Sequence, residues 1–109
     1  METNDRLMNL LGLARKAGKL ELGSEAVKQA VRRHRTKLVL LSADLSEKTA
    51  RSFRDEAEKA GVRAASLPTG MDAVQTALGR RAGVIAVNDG GFAQALLKLC
   101  AEDRGGTIL

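Results

Sequence analysis

Aromatic residues are almost absent from this 109-residue sequence, which contains Phe53 and Phe92 but no tryptophan or tyrosine. Proteins that bind single-stranded nucleic acids usually stack the bases on exposed aromatic rings. The near absence of rings therefore disfavours that mode of binding. If RNA is the partner, we expect a structured RNA that is recognised through helix ends, charge and backbone contacts.

Cysteine and histidine are equally scarce, with one of each, Cys100 and His34. One cysteine cannot form an internal disulfide, which favours a reducing compartment, and we expect a cytoplasmic protein. A single cysteine and a single histidine cannot build a zinc cage, so no metal is expected. The apolar runs are much shorter than a membrane span and no secretory signal is recognisable. We therefore expect no membrane association.

The common enzyme motifs are also lacking, since neither G-x-G-x-x-G after a strand nor G-x-x-x-x-G-K-[ST] occurs. The segment "NDGG" at 88–91 opens the last predicted helix, where a phosphate could bind. A helix cap at Asn88 followed by a glycine turn is the favoured interpretation. His34 is interpreted as a surface histidine and Cys100 as a buried thiol. The sequence predicts a protein that is not an enzyme, with no catalytic residues and no cofactor.

Helical and strand patterns alternate along the chain, which predicts an α/β fold. We expect a single domain over residues 1–103 and a flexible tail at 104–109. Ser46 is predicted to cap a helix that closes at Gly61, and Thr69 with Asp72 has the spacing of a capping box. Helices are predicted at about 6–17, 24–34, 47–60, 69–78 and 92–102, and strands at 19–22, 37–42, 62–67 and 84–88. The result is a three-layer α/β/α sandwich around a small mixed sheet of about four strands.

Positive charge is concentrated in one segment of the chain. The net charge is +5 and the pI is about 9.9. Residues 15–37 hold eight basic and two acidic side chains, whereas the rest of the chain holds ten basic and eleven acidic ones. Such asymmetry favours a polyanionic partner, because binding to phosphates releases counterions. A solvated basic face without a partner is the alternative.

The step at Gly23, Ser24 and Glu25 begins the second predicted helix inside this basic segment. Free backbone N–H groups and the positive end of the helix dipole favour an anion there. Gly23 has no Cβ, so a nucleic-acid backbone can approach closely. Ser24 is interpreted either as the N-cap or as an RNA contact. Glu25, Lys28, Gln29 and Arg32 are predicted on the exposed face, with Lys19 just before the opening.

Three segments, "GLARKAGKL", "KLVLLSADLS" and "VIAVNDGGFA", carry a resemblance to a known family. The chain resembles the small bacterial YlxQ-like proteins of the ribosomal kink-turn RNA-binding superfamily over about residues 6–99. The resemblance implies an α/β/α sandwich that binds structured RNA, typically a kink-turn with tandem sheared G·A pairs. In that family the second helix enters the widened groove at the kink. A loop before the last strand covers an extruded nucleotide.

The family's signature Asn-Glu-x-x-Lys falls, without gaps, on Glu25, Ala26 and Gln29, so all three signature residues differ here. The covering loop corresponds to residues 79–83, where Arg80 and Arg81 either contact phosphate and stack on a base or form a solvated connection. If this loop lies beside the start of the second helix, the two basic patches form one surface.

Two hypotheses follow for the function. The first is a monomeric, non-enzymatic protein that binds structured, kink-turn-like RNA in ribosomal or other noncoding RNA. The alternative is a protein-interaction module that has lost specific RNA recognition and uses a surface such as that around Arg51, Arg54 and Lys59. The predicted RNA-binding residues are Lys19, Gly23, Ser24, Glu25, Lys28, Gln29, Arg32, Arg80 and Arg81.

Overall fold

The computed structural model describes residues 3–103. Helices and strands alternate along this range as the sequence patterns predict. The elements are α1 Thr3–Lys16, β1 Leu20–Leu22, α2 Ser24–Arg32, β2 Leu38–Leu41, α3 Glu47–Lys59, β3 Arg63–Ser66, α4 Met71–Leu78, β4 Val84–Val87 and α5 Gly90–Asp103. The tail predicted at 104–109 lies outside the described residues.

The strands form one four-stranded sheet in the order β1-β4-β2-β3. Strand β4 runs antiparallel to both β1 and β2, whereas β2 and β3 are parallel. The predicted mixed sheet is therefore confirmed. Every residue of β2 and of β4 is buried. The uninterrupted apolar runs in the sequence reflect this, because a central strand covered on both faces needs no polar alternation.

Helices cover both faces of the sheet, so the predicted three-layer sandwich is confirmed. Alternate residues of a strand point to opposite faces, and β2 shows this directly. Leu38 and Leu40 pack with side chains of α1, α4 and α5. Val39 and Leu41 pack on the other face with side chains of α2 and α3. Each face has its own apolar core.

The starts of α3 and α4 are capped in different ways, one by a neighbouring residue and the other by a residue distant in sequence. Ser46 caps α3 as predicted, since its hydroxyl accepts the Thr49 N–H at 3.2 Å. The capping box predicted from Thr69 and Asp72 is wrong, because α4 begins at Met71. The Met71 N–H donates instead to the Asp44 carboxylate, 3.1 Å away in the β2–α3 connection.

The predicted cap at Asn88 is also wrong. Asp89, the next residue, caps α5 by accepting the Phe92 N–H at 2.9 Å. The Asn88 side chain turns the other way and bonds with Thr36 and Glu21, both at 3.3 Å. Asp89 directly precedes the first helical residue, Gly90, which is the N-cap position. Its side chain therefore lies closer to the N–H groups of the first turn than that of Asn88.

We call the two ends of the sheet, along the strand direction, the entry end and the distal end. At the entry end, β2 finishes at Leu41 opposite Val84, where β4 begins. At the distal end, β2 begins at Leu38 opposite Val87, where β4 finishes. Helix α2 starts at the entry end and leads back to the distal end, where the Lys37 N–H donates to the Val87 carbonyl at 2.8 Å.

Candidate nucleic-acid interface

Gly23 forms the corner between β1 and α2. Its N–H donates to the Val84 carbonyl at 2.9 Å, and its own carbonyl accepts the Val27 N–H at 3.0 Å. Its φ of 98° and ψ of 157° lie in a region that glycine alone occupies readily. The corner is therefore fixed by backbone bonds on both sides and needs a residue without a Cβ.

No side chain caps the start of α2 within the described part of the chain. Gly23 occupies the N-cap position, so the interpretation of Ser24 as the N-cap is wrong. Ser24 is the first helical residue and is exposed. Because the first intrahelical bond is donated by Val27, the N–H groups of residues 24–26 point out of the helix end. A helix start of this kind favours an anion, and the exposed Ser24 lies beside it.

The loop at 79–83 lies beside this corner. A Cβ placed on Gly23 would lie 3.7 Å from Nη2 of Arg80, so the Arg80 guanidinium covers the glycine face of the helix start. Gly83 fixes the other end of the loop, since its carbonyl accepts the Ser42 N–H at 2.9 Å. The predicted meeting of loop and helix is thus observed for Arg80.

Arg81 has a different neighbour. Its guanidinium forms an ion pair with the exposed carboxylate of Asp72. Asp44 lies close by: the Ser42 hydroxyl, the Met71 N–H and the charge of Arg81 hold the pKa of its carboxyl below its usual range. Two carboxylates therefore surround Arg81, and the positive charge at the entry end is concentrated at Arg80.

Lys28 and Arg32 both contact side chains of α3. Nζ of Lys28 lies 5.8 Å from the centre of the Phe53 ring, and the side chain is half-buried. Such a cation–π contact contributes about 0.5–1 kcal/mol. Nε of Arg32 lies 3.5 Å from Oε1 of Glu56. Arg32 is exposed as predicted, whereas Lys28 is only partly exposed.

The sequence suggested that Lys19 lies beside the helix opening, but the structure places it elsewhere. Its carbonyl accepts the Asn88 N–H at 2.8 Å, which places it at the distal end. The three residues of β1 lie between Lys19 and Gly23, so the two are four positions apart, or about 13 Å in extended chain. Sequence proximity misled here because β1 crosses the sheet from one end to the other.

We call the residues that do meet at the entry end the helix-entry surface. Glu25 and Gln29 belong to it because both are exposed and lie one turn apart on α2. The helix-entry surface comprises Gly23, Ser24, Glu25, Gln29 and Arg80.

Neither a metal cluster nor a membrane helix marks the described residues. Within residues 3–103, no three His, Cys, Asp or Glu side chains are grouped so that they could hold a metal ion. No helix in the same range is both long and apolar enough to cross a membrane. The features that do stand out are the helix start, the Arg80 guanidinium and the basic residues.

Comparison with known proteins identifies the family of the chain. The model of the ribosomal protein L7Ae/L30e/S12e/Gadd45 family matches residues 5–96. A protein named RNA-binding protein YlxQ from Bacillus subtilis (strain 168) is 38% identical over 95 residues, covering 83% of this chain and 90% of that protein. A protein of the same name from Enterococcus faecium is 32% identical over 94 residues, covering 86% and 90%.

Solved structures share the fold. A protein of unknown function from Bacillus halodurans superposes with a TM-score of 0.81 at 30% identity, over 86% of this chain and 95% of that one. The 15.5kD RNA binding protein of Giardia lamblia superposes with a TM-score of 0.68 over 97% of this chain and 88% of that one. At 21% identity, the second likeness shows the fold alone.

Proposed function

The chain belongs to the ribosomal protein L7Ae/L30e/S12e/Gadd45 family, and from this premise we propose that it is a non-enzymatic protein that binds structured RNA. Two relatives at 38% and 32% identity carry the name RNA-binding protein. The concentration of positive charge in residues 15–37 supports a phosphate-bearing partner.

The observation that carries the proposal is the position of Arg80 over Gly23. The uncapped N–H groups of α2 bind a phosphate oxygen, and the positive end of the helix dipole favours the negative charge. The Arg80 guanidinium, on the adjacent loop, binds a second oxygen or stacks on an unpaired base. A helix end and a guanidinium at one corner suit a sharply bent RNA backbone.

Glu25 and Gln29 are the base-reading residues in this proposal. A glutamine amide both donates and accepts, and it pairs with an adenine edge, while a carboxylate accepts from a base amino group. Together they offer a recognition set different from the family's Asn-Glu-x-x-Lys. We propose that this set recognises sheared G·A pairs of a kink-turn-like RNA.

The test is a titration of the full chain against two RNAs at one physiological salt concentration. One is a short kink-turn RNA, and the other is a matched duplex in which Watson–Crick pairs replace the sheared G·A pairs. We expect at least tenfold tighter binding of the kink-turn, about 1.4 kcal/mol. Equal and weak binding of both RNAs would refute kink-turn recognition.

Single-residue variants locate the binding on the helix-entry surface. Arg80→Gln removes the guanidinium at the corner, and Lys98→Gln is a control with the same charge change on the exposed face of α5. We expect only Arg80→Gln to weaken kink-turn binding by about tenfold, since charge-assisted bonds to phosphate are strong. Wild-type protein that binds neither RNA would favour the protein-interaction module.

A further inference from the structure

The basic segment at residues 15–37 is divided by the fold. Helix α2 and strand β1 each cross from one end of the sheet to the other, so the cations before and after them gather at the distal end. This group is remote from Arg80 and is not needed for the helix-entry surface. The distal basic residues are Lys19, Arg33, Arg35, Lys37 and Arg63.

All five of these side chains belong to exposed residues. At this end of the sheet, the carboxylates of Glu21 and Asp89 both have partners. Glu21 lies 3.8 Å from Arg35 and accepts a bond from Asn88, whereas Asp89 caps α5. At the end of α3, Glu58 and Lys59 offset each other in charge. The distal end therefore carries an excess of positive charge.

Arg35 is held in place by a chain of polar contacts. Thr36, itself 4% exposed, donates to the Asn88 side chain, which in turn donates to Glu21. Glu21 then contacts the Arg35 guanidinium. Asn88 belongs to the "NDGG" segment, for which the helix-entry surface provides no role. Its position in this network links Arg35, one of the distal basic residues, to the end of β4.

Lys37 lies between two clefts that open at this end. One, of about 250 Å³, runs beside the end of α3 and is lined by His34, Lys37 and Gly61 among others. The other, of about 290 Å³, lies beside the first turns of α5 and is lined by Lys37, Arg63 and Gln94 among others. Both clefts have the cationic edge that a phosphate backbone requires.

We infer that the distal basic residues form a second RNA-contacting surface, which binds phosphates of the same structured RNA as the helix-entry surface. The chain advances five positions along β2, or about 16 Å, from Lys37 at the distal end to Ser42, whose N–H donates to Gly83 of the Arg80 loop at the entry end. A third cleft, beside α2, is lined by Gln29 of the helix-entry surface and by Arg33, Arg35 and Glu21 at the distal end, among others. The inference rests on the proposed function, because it assigns a second contact to the same partner.

The chemistry favours backbone contacts over base recognition at this surface. Phe53 is 3% exposed and Phe92 is half-buried, so neither ring is available to stack freely with a base. Contacts of arginine and lysine with phosphates do not depend on the base sequence. The helix-entry surface then supplies specificity, and the distal surface supplies affinity that depends on salt.

The experiment compares two double variants with equal loss of charge. Lys37→Gln with Arg63→Gln removes the two cations of the α5 cleft, and Arg51→Gln with Lys98→Gln removes two exposed cations from outer faces of α3 and α5. Each full chain is titrated with a kink-turn RNA whose arms are lengthened by one helical turn, over a range of salt concentrations. Thermal unfolding first verifies that both variants are folded.

We expect the distal double variant to bind about tenfold more weakly. Its plot of log affinity against log salt should be less steep by about 1.5, as expected for two lost phosphate contacts. The control pair should change affinity less than about threefold. Equal effects of the two double variants would overturn the inference. Wild-type protein that does not bind the RNA would instead refute the proposed function on which the inference rests.

Lysine acetylation supplies an independent readout. In the wild-type complex with the same RNA, we expect Lys37 to be protected from an amine-reactive acetylating reagent, while Lys98 remains reactive. Mass spectrometry measures both sites in one sample. Full reactivity of Lys37 in a saturated complex would overturn the inference and leave the distal surface to an acidic protein partner.

Discussion

Gly23→Ala is the substitution whose effect the structure specifies most closely. The backbone at Gly23 has φ 98° and ψ 157°, a combination that costs a residue with a Cβ about 1–3 kcal/mol. The added methyl group would lie 3.7 Å from Arg80, an ordinary contact, so the cost comes from the backbone. A loss of about 2 kcal/mol corresponds to about 10 °C in melting temperature for a domain of this size.

Two other glycines are matched controls. Gly18 has φ 73° and open space where an added methyl group would lie, and alanine there costs about 1 kcal/mol. Gly12 lies inside α1, where a Cβ would be 3.7 Å from the Ala77 carbonyl. Alanine at Gly12 should stabilise the protein by about 0.5–1 kcal/mol, because glycine is a poor helix former.

The assay is urea unfolding followed by circular dichroism, with all three variants measured at one pH and salt concentration. The expected order of stability is Gly12→Ala, wild type, Gly18→Ala and then Gly23→Ala. A Gly23→Ala variant within about 0.5 kcal/mol of the wild type, inside the range typical of neutral surface changes, would refute the backbone geometry assigned to the corner.

The remaining predictions concern capping and packing. Asp44→Ala should lower the urea midpoint, since the Met71 N–H loses its acceptor. Because folding lowers the pKa of the Asp44 carboxyl, its carboxylate stabilises the folded protein fully at pH values above the pKa of the unfolded state, near 3.9. This effect is lost as the pH falls through the folded pKa, so unfolding curves of wild type and variant should converge at low pH. Ser46→Ala should cost about 1 kcal/mol in the same assay, because the cap of α3 is lost. Phe53→Ala should cost about 3–5 kcal/mol, since the ring is buried in the α2–α3 core; a loss below about 1 kcal/mol, the cost of a minor core change, would contradict that packing.

The central strands and their helices could be predicted because their signals are local. Uninterrupted apolar runs mark β2 and β4, and the cap at Ser46 lies three residues from its partner Thr49. The Asp44 cap of α4 could not be predicted in this way. Asp44 and Met71 are 27 positions apart in sequence, and only the fold brings them together.

The candidate site was predicted only in part, because some of its residues are brought together or separated by the fold and not by their order in the sequence. The sequence identified the glycine corner and the loop containing Arg80, and the structure brings these together. It also grouped Lys19 with the corner, although β1 carries Lys19 to the other end of the sheet. Charge density along a sequence does not show which end of a strand each cation occupies.

The most direct test of RNA binding at the helix-entry surface is a map of backbone amide shifts during titration with the kink-turn RNA. Nuclear magnetic resonance of the ¹⁵N-labelled full chain resolves each N–H group. We expect large shifts for Gly23, Ser24, Glu25 and Arg80, with the outer residues of α3 unchanged. Shifts concentrated on α3, with the helix-entry amide signals unchanged at saturation, would contradict RNA binding at the helix-entry surface.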